Sequence, residues 1–300
     1  MVQRGPLIAV LLVIELAILG GMVTAFTGGA SPSRSAPRVD AFVAPGPHLI
    51  EGGPRQMFAV GPHPTLTVDI GYADLTITTG TSAQIVASLS QSTMFGFMRA
   101  KGAIAARADG GGVQITKSGD DGMSMGDDRM VTVVVPPDTS VTVTQAGDIR
   151  VSGLRAAASI ASVGNGSITV SDFNAPTLHV TASDGRIALH QVVATQLDAT
   201  SDNGRVEGTG LQVRDGDVES HNGNVTLGFA AGADTVISAD TSNGDIHVSG
   251  VTGIPAATTH KRSSDDDDDD DSVQTVRLGS GAGRLDVHAS NGNIHLSQEG

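Results

Sequence analysis

Apolar and polar residues alternate along most of the chain after residue 65, as in Leu66-x-Val68-x-Ile70, Leu75-x-Ile77, Val113-x-Ile115 and the run Val131–Val135. A period of two puts successive side chains on opposite faces and predicts strands with one buried face. From residue 146 onward a longer period is superimposed. The motif Asn/Asp-Gly-x-Ile/Val recurs at Asn165-Gly166, Asp184-Gly185, Asn203-Gly204, Asn222-Gly223, Asn243-Gly244 and Asn291-Gly292, with Ala146-Gly147 as a degenerate first copy. Gly147, Gly166, Gly185, Gly204 and Gly223 are spaced by 19, and the next steps are 21 and 48.

Two residues after each glycine stand Ile149, Ile168, Ile187, Val206, Val225, Ile246 and Ile294. Four after it stand Val151, Val170, Leu189, Gly208, Leu227, Val248 and Leu296. A second alternating segment precedes the next glycine, as in Leu178-x-Val180-x-Ala182, Leu197-x-Ala199 and Ile237-x-Ala239. Two short strands and two turns fill the period. The expected fold is all-β: a β-solenoid (β-helix- or β-roll-like) of stacked coils of about 19 residues. Asn-Gly and Asp-Gly are expected to supply a positive-φ corner. Coils about 4.7–4.9 Å apart would stack equivalent side chains into ladders. The alternating segments upstream read as degenerate N-terminal coils covering the exposed end. Met94–Met98 (MFGFM) reads as a loop packed on that end, with a lipid or partner contact as the other reading. The G-G-x-G-x-D nonapeptide of calcium-binding rolls is absent.

Composition fits a narrow coil. There are 39 Gly, seven Phe, one Tyr and neither Trp nor Cys. Small branched residues stack well in such a coil, whereas large rings do not. The absence of Cys excludes disulfides, thiolate catalysis and Cys-based metal centres. A net charge of −14 argues against a sequence-independent grip on nucleic acid, and no nucleic-acid partner is expected.

The first 26 residues differ from the remainder. Leu7–Phe26 is an apolar run interrupted only by Glu15 and preceded by Arg4. As a helix it spans about 30 Å, the thickness of a bilayer core. The expectation is an N-terminal transmembrane or signal helix. Its length favours an uncleaved single-pass anchor through residues 7–26, with the main domain extracytoplasmic at a cell membrane. The alternative is secretion after cleavage near Gly28-Gly29-Ala30. The expected layout is an anchor or signal segment at 1–26, a Gly/Pro/Ser-rich linker at 27–64 and a solenoid at 65–300. An acidic loop insertion at 253–272 interrupts the solenoid.

Val131-Thr-Val-Val-Val-Pro136-Pro137-Asp138, followed by Ser140-Val-Thr-Val-Thr-Gln-Ala-Gly147-Asp148-Ile149, resembles the bacterial "putative adhesin" domain family, a family of unknown function. Gly281-Ala-Gly283-x-Leu285-x-Val287 before Asn291-Gly292-Asn293-Ile294 looks like that family's closing coil. The resemblance covers roughly residues 60–300. It implies the repeat fold and surface adhesion, and it carries no catalytic residues to this chain. The long insertion between Gly244 and Gly292 departs from the pattern. It holds His260-Lys-Arg-Ser-Ser264 and the seven aspartates Asp265–Asp271, half of the net charge. Such a run reads as a solvated, self-repelling loop, with cation or basic-partner binding as the sharper alternative.

Outward positions are where chemistry would sit. Six before each glycine stand Ile160, His179, Asp198, Asp217, Ser238 and Asp286, and four before it Ser162, Thr181, Thr200, Glu219, Asp240 and His288. Stacked in register, Asp198, Asp217, Glu219 and Asp240 would form an acidic patch. It reads as a solubilising face, with Ca²⁺ as the one ligand its oxygens suggest; no other cofactor and no firm metal site is expected. His247 and His295 share an outward slot, a pair of imidazoles without a third ligand. The Asn/Asp row before each glycine is explained by its turn role and by mutual amide stacking. No nucleophile elbow, P-loop or zinc-protease motif occurs, and no walled carboxylate pair or aromatic platform suits a glycan enzyme. The expected function is therefore not that of an enzyme. It is an adhesin-like binding or surface scaffold module, whose partner is a surface protein or glycan. The alternatives are an envelope sensor or scaffold subunit coupled through Glu15, and a carbohydrate-active solenoid enzyme.

Overall fold

The computed structural model describes residues 48–50, 55–93, 103–118, 127–251 and 272–299, all within the unit Pro45–Gly300. The apolar run 7–26, Met94–Met98 and Asp265–Asp271 lie outside the described residues. Among those described every regular element is a strand, and no helix is long and apolar enough to cross a membrane. Two strands, β1 (His48–Ile50) and β2 (Gln56–Ala59), fall in the stretch read as linker.

The N-terminal end begins with one coil, β3 (Thr65–Asp69) and β4 (Asp74–Thr79). The chain continues through β5 (Gln84–Thr93), β6 (Ala103–Asp109), β7 (Gly112–Ser118) and β8 (Asp127–Val135). β7 and β8 run parallel to β3 and β4, so they form a coil outside the first one. β5 and β6 then pair antiparallel on β8 and β7, and β2 and β1 pair antiparallel on those. The expectation of simple degenerate coils is corrected here. Antiparallel strands close this end, and they do not offer a parallel coil edge for the next copy to continue.

The regular stack starts with β9 (Ser140–Gln145) and β10 (Ile149–Ser152), which lie on the inner side of β3 and β4. β11 (Ala158–Ser162) follows, then three strands of 15 residues: β12 (Ile168–Ala182), β13 (Ile187–Ser201) and β14 (Val206–Ser220). Each long strand covers both faces of a coil, where two separate short strands are expected from the sequence. The bend falls at Asp172 and Gln191 (both φ 52°) and Gly210 (φ 64°), in line with Gly153 (φ 81°) one coil earlier. These four residues are themselves 19 apart. The positive-φ corner thus lies six residues after Gly147, Gly166, Gly185 and Gly204.

The motif glycines answer a different need. A Cβ on Gly185 would stand 1.9 Å from Gly166 O, and one on Gly204 would stand 2.0 Å from Gly185 O. Successive turns press backbone on backbone, which only glycine permits. Buried hydroxyls complete these turns: Ser201 Oγ donates to Gly185 O (3.3 Å) and Ser220 Oγ to Gly204 O (2.9 Å).

The C-terminal end departs from sequence order. β15 (Val225–Phe229), β16 (Val236–Asn243) and β17 (Ile246–Ser249) are followed by β18 (Ser272–Arg277), β19 (Arg284–Asn291) and β20 (Ile294–Gln298). β19 lies between β14 and β16, and β20 between β15 and β17. The coil expected to close the stack is therefore the penultimate one, and β18 pairs antiparallel outside β16. Like its neighbours, that coil presents branched residues inward, so it fits an interior slot. One face stacks Leu75, Ile149, Ile168, Ile187, Val206, Val225, Ile294 and Ile246, and the other Ala158, Leu178, Leu197, Gly216, Leu285 and Ile237. Nearly all of these side chains are fully buried. Each buried aliphatic side chain contributes roughly 1.5–3 kcal/mol, and the rows form one continuous core.

Candidate functional site: an acidic face, an amide ladder and a corner groove

The in-register stack sets two outward rows side by side. One runs His179, Asp198, Asp217, Asp286, Ser238, and the other Thr181, Thr200, Glu219, His288, Asp240. Asp198, Asp217 and Glu219 are brought together as the spacing predicts. Insertion of β19 adds Asp286 beside Asp217 and places His288 between Glu219 and Asp240, so Asp240 does not touch the other three. On the second coil the reading is corrected. Gly164, at φ 61°, marks an extra turn residue, so Ile160 and Ser162 are buried while Ser159 and Ala161 face outward.

The face is laced internally. His288 Nε2 stands 3.2 Å from Ser290 Oγ, and Gln196 donates to Asp198 (3.0 Å). His221 lies 3.6 Å from Asp202 and 3.5 Å from Glu219. Arg284 Nε donates to both oxygens of Asp286 at 3.0 Å. Loss of solvent within the row pushes the Asp217 carboxyl above its ordinary range. The carboxylates of Glu219, Asp286 and Asp198 push in the same direction, and His288 opposes them. Among the described residues no group of three or more His, Asp or Glu side chains is placed to hold a metal ion. Carboxylates repeated at the coil spacing make a ladder along an open strand face.

The turns carry a second ladder. Asn203 Nδ2 donates to Asp184 Oδ1 (2.7 Å), Asn222 to Asn203 (2.8 Å), Asn291 to Asn222 (3.0 Å) and Asn243 to Asn291 (3.1 Å). Amide stacking is expected from the sequence, and here it is continuous over five coils. Beside it, Ser167 N–H donates to Asp148 Oδ1 (2.8 Å), Asn293 N–H to Asn224 Oδ1 (2.9 Å) and Asp245 N–H to Asn293 Oδ1 (2.9 Å). These side chains serve the fold.

The remaining edge of the coil holds a groove of about 610 Å³. It follows the corner column Arg155, Asn174, Val193 and Gln212, eight residues after the motif glycines. Its floor is small and apolar: Ala175, Ala194 and Val213 are buried. Arg214 and Asp234 bound one end. The Asp234 carboxylate accepts hydrogen bonds from Ala282 N–H (3.2 Å), Ser280 Oγ (2.9 Å) and Gly281 N–H (2.7 Å). These donors, Ala282 first, hold it below the usual carboxylate range. Asp234 therefore shapes this end of the groove. Guanidinium and amide groups along a shallow apolar floor suit hydrogen bonding to an extended chain. Three coil steps give a length of about 14 Å. Sequence reasoning passes over this site because it looks for chemistry on the strand faces. The repeat period itself was the available signal.

A family model described as Toastrack DUF4097 matches residues 63–297. No curated protein matches the chain. Two solved structures are similar. One is a putative cell adhesion protein from Clostridium sporogenes, with 11% identity and TM-score 0.37, covering 82% of this chain and 99% of that one. The other is a putative adhesin from Bacteroides fragilis, with 10% identity and TM-score 0.48, covering 82% and 96%.

Proposed function

The chain belongs to the Toastrack DUF4097 family, and from that premise we propose that it is a non-catalytic, adhesin-like binding or scaffold module, held outside a cell membrane by residues 7–26. The corner groove carries this reading. It runs across coils at constant spacing, with the donors and acceptors of Asn174, Gln212 and the two arginines above a floor of Ala and Val. A surface built this way recognises a repeating partner, a glycan or an extended protein segment, through many equivalent contacts. The acidic face supports the non-catalytic part, because Glu219, Asp286 and Asp240 are paired with His221, Arg284 and His288 along an open ladder.

The test is retention of the chain on isolated envelope material and on immobilised glycans. Substituting Asn174→Ala together with Gln212→Ala reduces retention several-fold, while Asp198→Asn leaves it unchanged. Product analysis of the bound glycan shows no cleavage. Retention indifferent to the groove substitutions, or turnover that depends on Asp198, Asp217 and Glu219, would overturn the reading. Deleting residues 7–26 moves the protein out of the membrane fraction if they anchor it.

A further inference from the structure

His247 on β17 and His295 on β20 are direct register partners on the two outermost parallel coils. Their rings are stacked, with centroids 5.1 Å apart and planes 14° from parallel. His247 is exposed and His295 half-buried, so both imidazoles reach solvent. We propose that this pair is a two-imidazole site for a borderline divalent transition metal, with Zn²⁺ as its simplest ligand, clamping the last coil onto the solenoid.

Three observations carry this. First, the spacing is within reach. Two Zn–N bonds of about 2.1 Å span at most about 4.2 Å, so the rings, now stacked with centroids 5.1 Å apart, must leave the stack by turning about their side-chain torsions to bring one nitrogen of each to a common ion. Second, the donor type selects the metal. Imidazole suits Zn²⁺, Cu²⁺ and Ni²⁺, whereas hard ions such as Ca²⁺ seek oxygens. The neighbouring outward side chains are Thr226 across the β15–β20 pairing and Ser249 beside His295, whose Oγ lies 3.5 Å from Nε2. Solvent on the exposed side of His247 would complete the coordination shell. Third, this is where a clamp matters. β17 pairs with β20 on one side, and its inward residues Ile246 and Val248 are only partly buried. The last coil therefore has less apolar burial than the interior ones and gains most from a cross-coil link. Binding to the native pair alone stabilises the folded chain by mass action.

The experiment is thermal unfolding of the whole chain with and without Zn²⁺, alongside the variants His247→Ala and His295→Ala. Both sites lie on an outward face, and far-UV circular dichroism establishes that the variants fold. Zinc in excess raises the Tm of the parent chain by about 3 °C, and either substitution removes that rise while leaving the metal-free Tm within about 1 °C. Calcium at the same concentration does not reproduce it. Electron spin-echo spectra of Cu²⁺-loaded protein show two imidazole nitrogens in the parent and one in each variant. Absence of a zinc-dependent shift overturns the proposal. So does an equal shift in both variants, which would place the metal elsewhere in the chain.

Discussion

The imidazole Nδ1 of His288 lies 2.5 Å from Asp240 Oδ2, a contact between residues 48 apart in sequence and one coil apart in space. It exists because β19 enters the stack between β14 and β16. The interposed strand thereby brings a cation-forming group into a face that would otherwise be carboxylate next to carboxylate. Both side chains are partly exposed, 32% and 45%, so the pair contributes modestly. A double-mutant cycle on His288→Ala and Asp240→Ala is expected to give a coupling below about 1 kcal/mol.

Asp217 should behave in the opposite sense to a salt-bridged carboxylate. Its folded pKa is raised, by loss of solvent and by Glu219, Asp286 and Asp198. The folded state therefore holds its proton to higher pH than the unfolded chain does. Stability is lost as pH rises from the ordinary carboxylate range through the raised value, and stays lost above it. Asp217→Asn removes the penalty. At pH 7 the variant is expected to melt about 1–2 °C higher than the parent, and the advantage disappears near pH 3.

Two positions separate the steric from the conformational use of glycine. At Gly185 an added Cβ meets Gly166 O at 1.9 Å, backbone that cannot withdraw without parting the coils. Gly185→Ala is expected to cost about 3 kcal/mol or more in denaturant unfolding. At Gln191 the backbone is left-handed (φ 52°) and the side chain is exposed. Gln191→Gly relieves that conformation and is expected to stabilise by about 0.5 kcal/mol. Destabilisation by Gln191→Gly would show that the bend is set by side-chain contacts.

The same positions mark how far the fold could be read from the sequence. The 19-residue spacing of the glycines gives the coils, their register and both aliphatic rows. That follows because a parallel in-register stack makes every coil repeat the last. The spacing does not say why the glycine is needed, since positive φ and close approach impose the same residue. Nor does it order the coils. Ile294 and Ile246 satisfy the same row, so the pattern is indifferent to which lies next to Val225. Part of the acidic face was legible for the register reason, and His288 between Glu219 and Asp240 was not, for the ordering reason. The groove column at Arg155, Asn174, Val193 and Gln212 has the period but no shared chemistry, so nothing in composition singles it out.

The asparagine ladder predicts a polarity of substitution. Asn222 donates to Asn203 and accepts from Asn291, so its amide is used at both ends. Asn222→Asp keeps the shape and the acceptor but turns the donated bond into a meeting of two acceptors. It is expected to cost about 1 kcal/mol; Asn222→Ala, which removes both ladder bonds, is expected to cost more than Asn243→Ala at the outer end, where only one is involved. Equal losses at the two positions would mean that the amides act as turn formers one by one.

Asp234 is the clearest case of a charge used to hold a loop. Its carboxylate gathers Ala282 N–H, Ser280 Oγ and Gly281 N–H at the turn that sends the chain from β18 into β19. Those donors lower its pKa, so the stabilisation is present above the ordinary carboxylate range and is lost as pH falls through the depressed value. Asp234→Asn leaves an amide whose NH₂ cannot accept from this set of donors, and its single carbonyl oxygen cannot serve all of them. The variant is expected to melt below the parent at pH 7, and the gap should close under strongly acidic conditions as the parent's own carboxylate protonates. Because this turn delivers β19 to its slot, the loosened variant should also show faster amide exchange in β19 than in β13. Uniform exchange across both strands would mean that the turn does not govern the seating of the inserted coil.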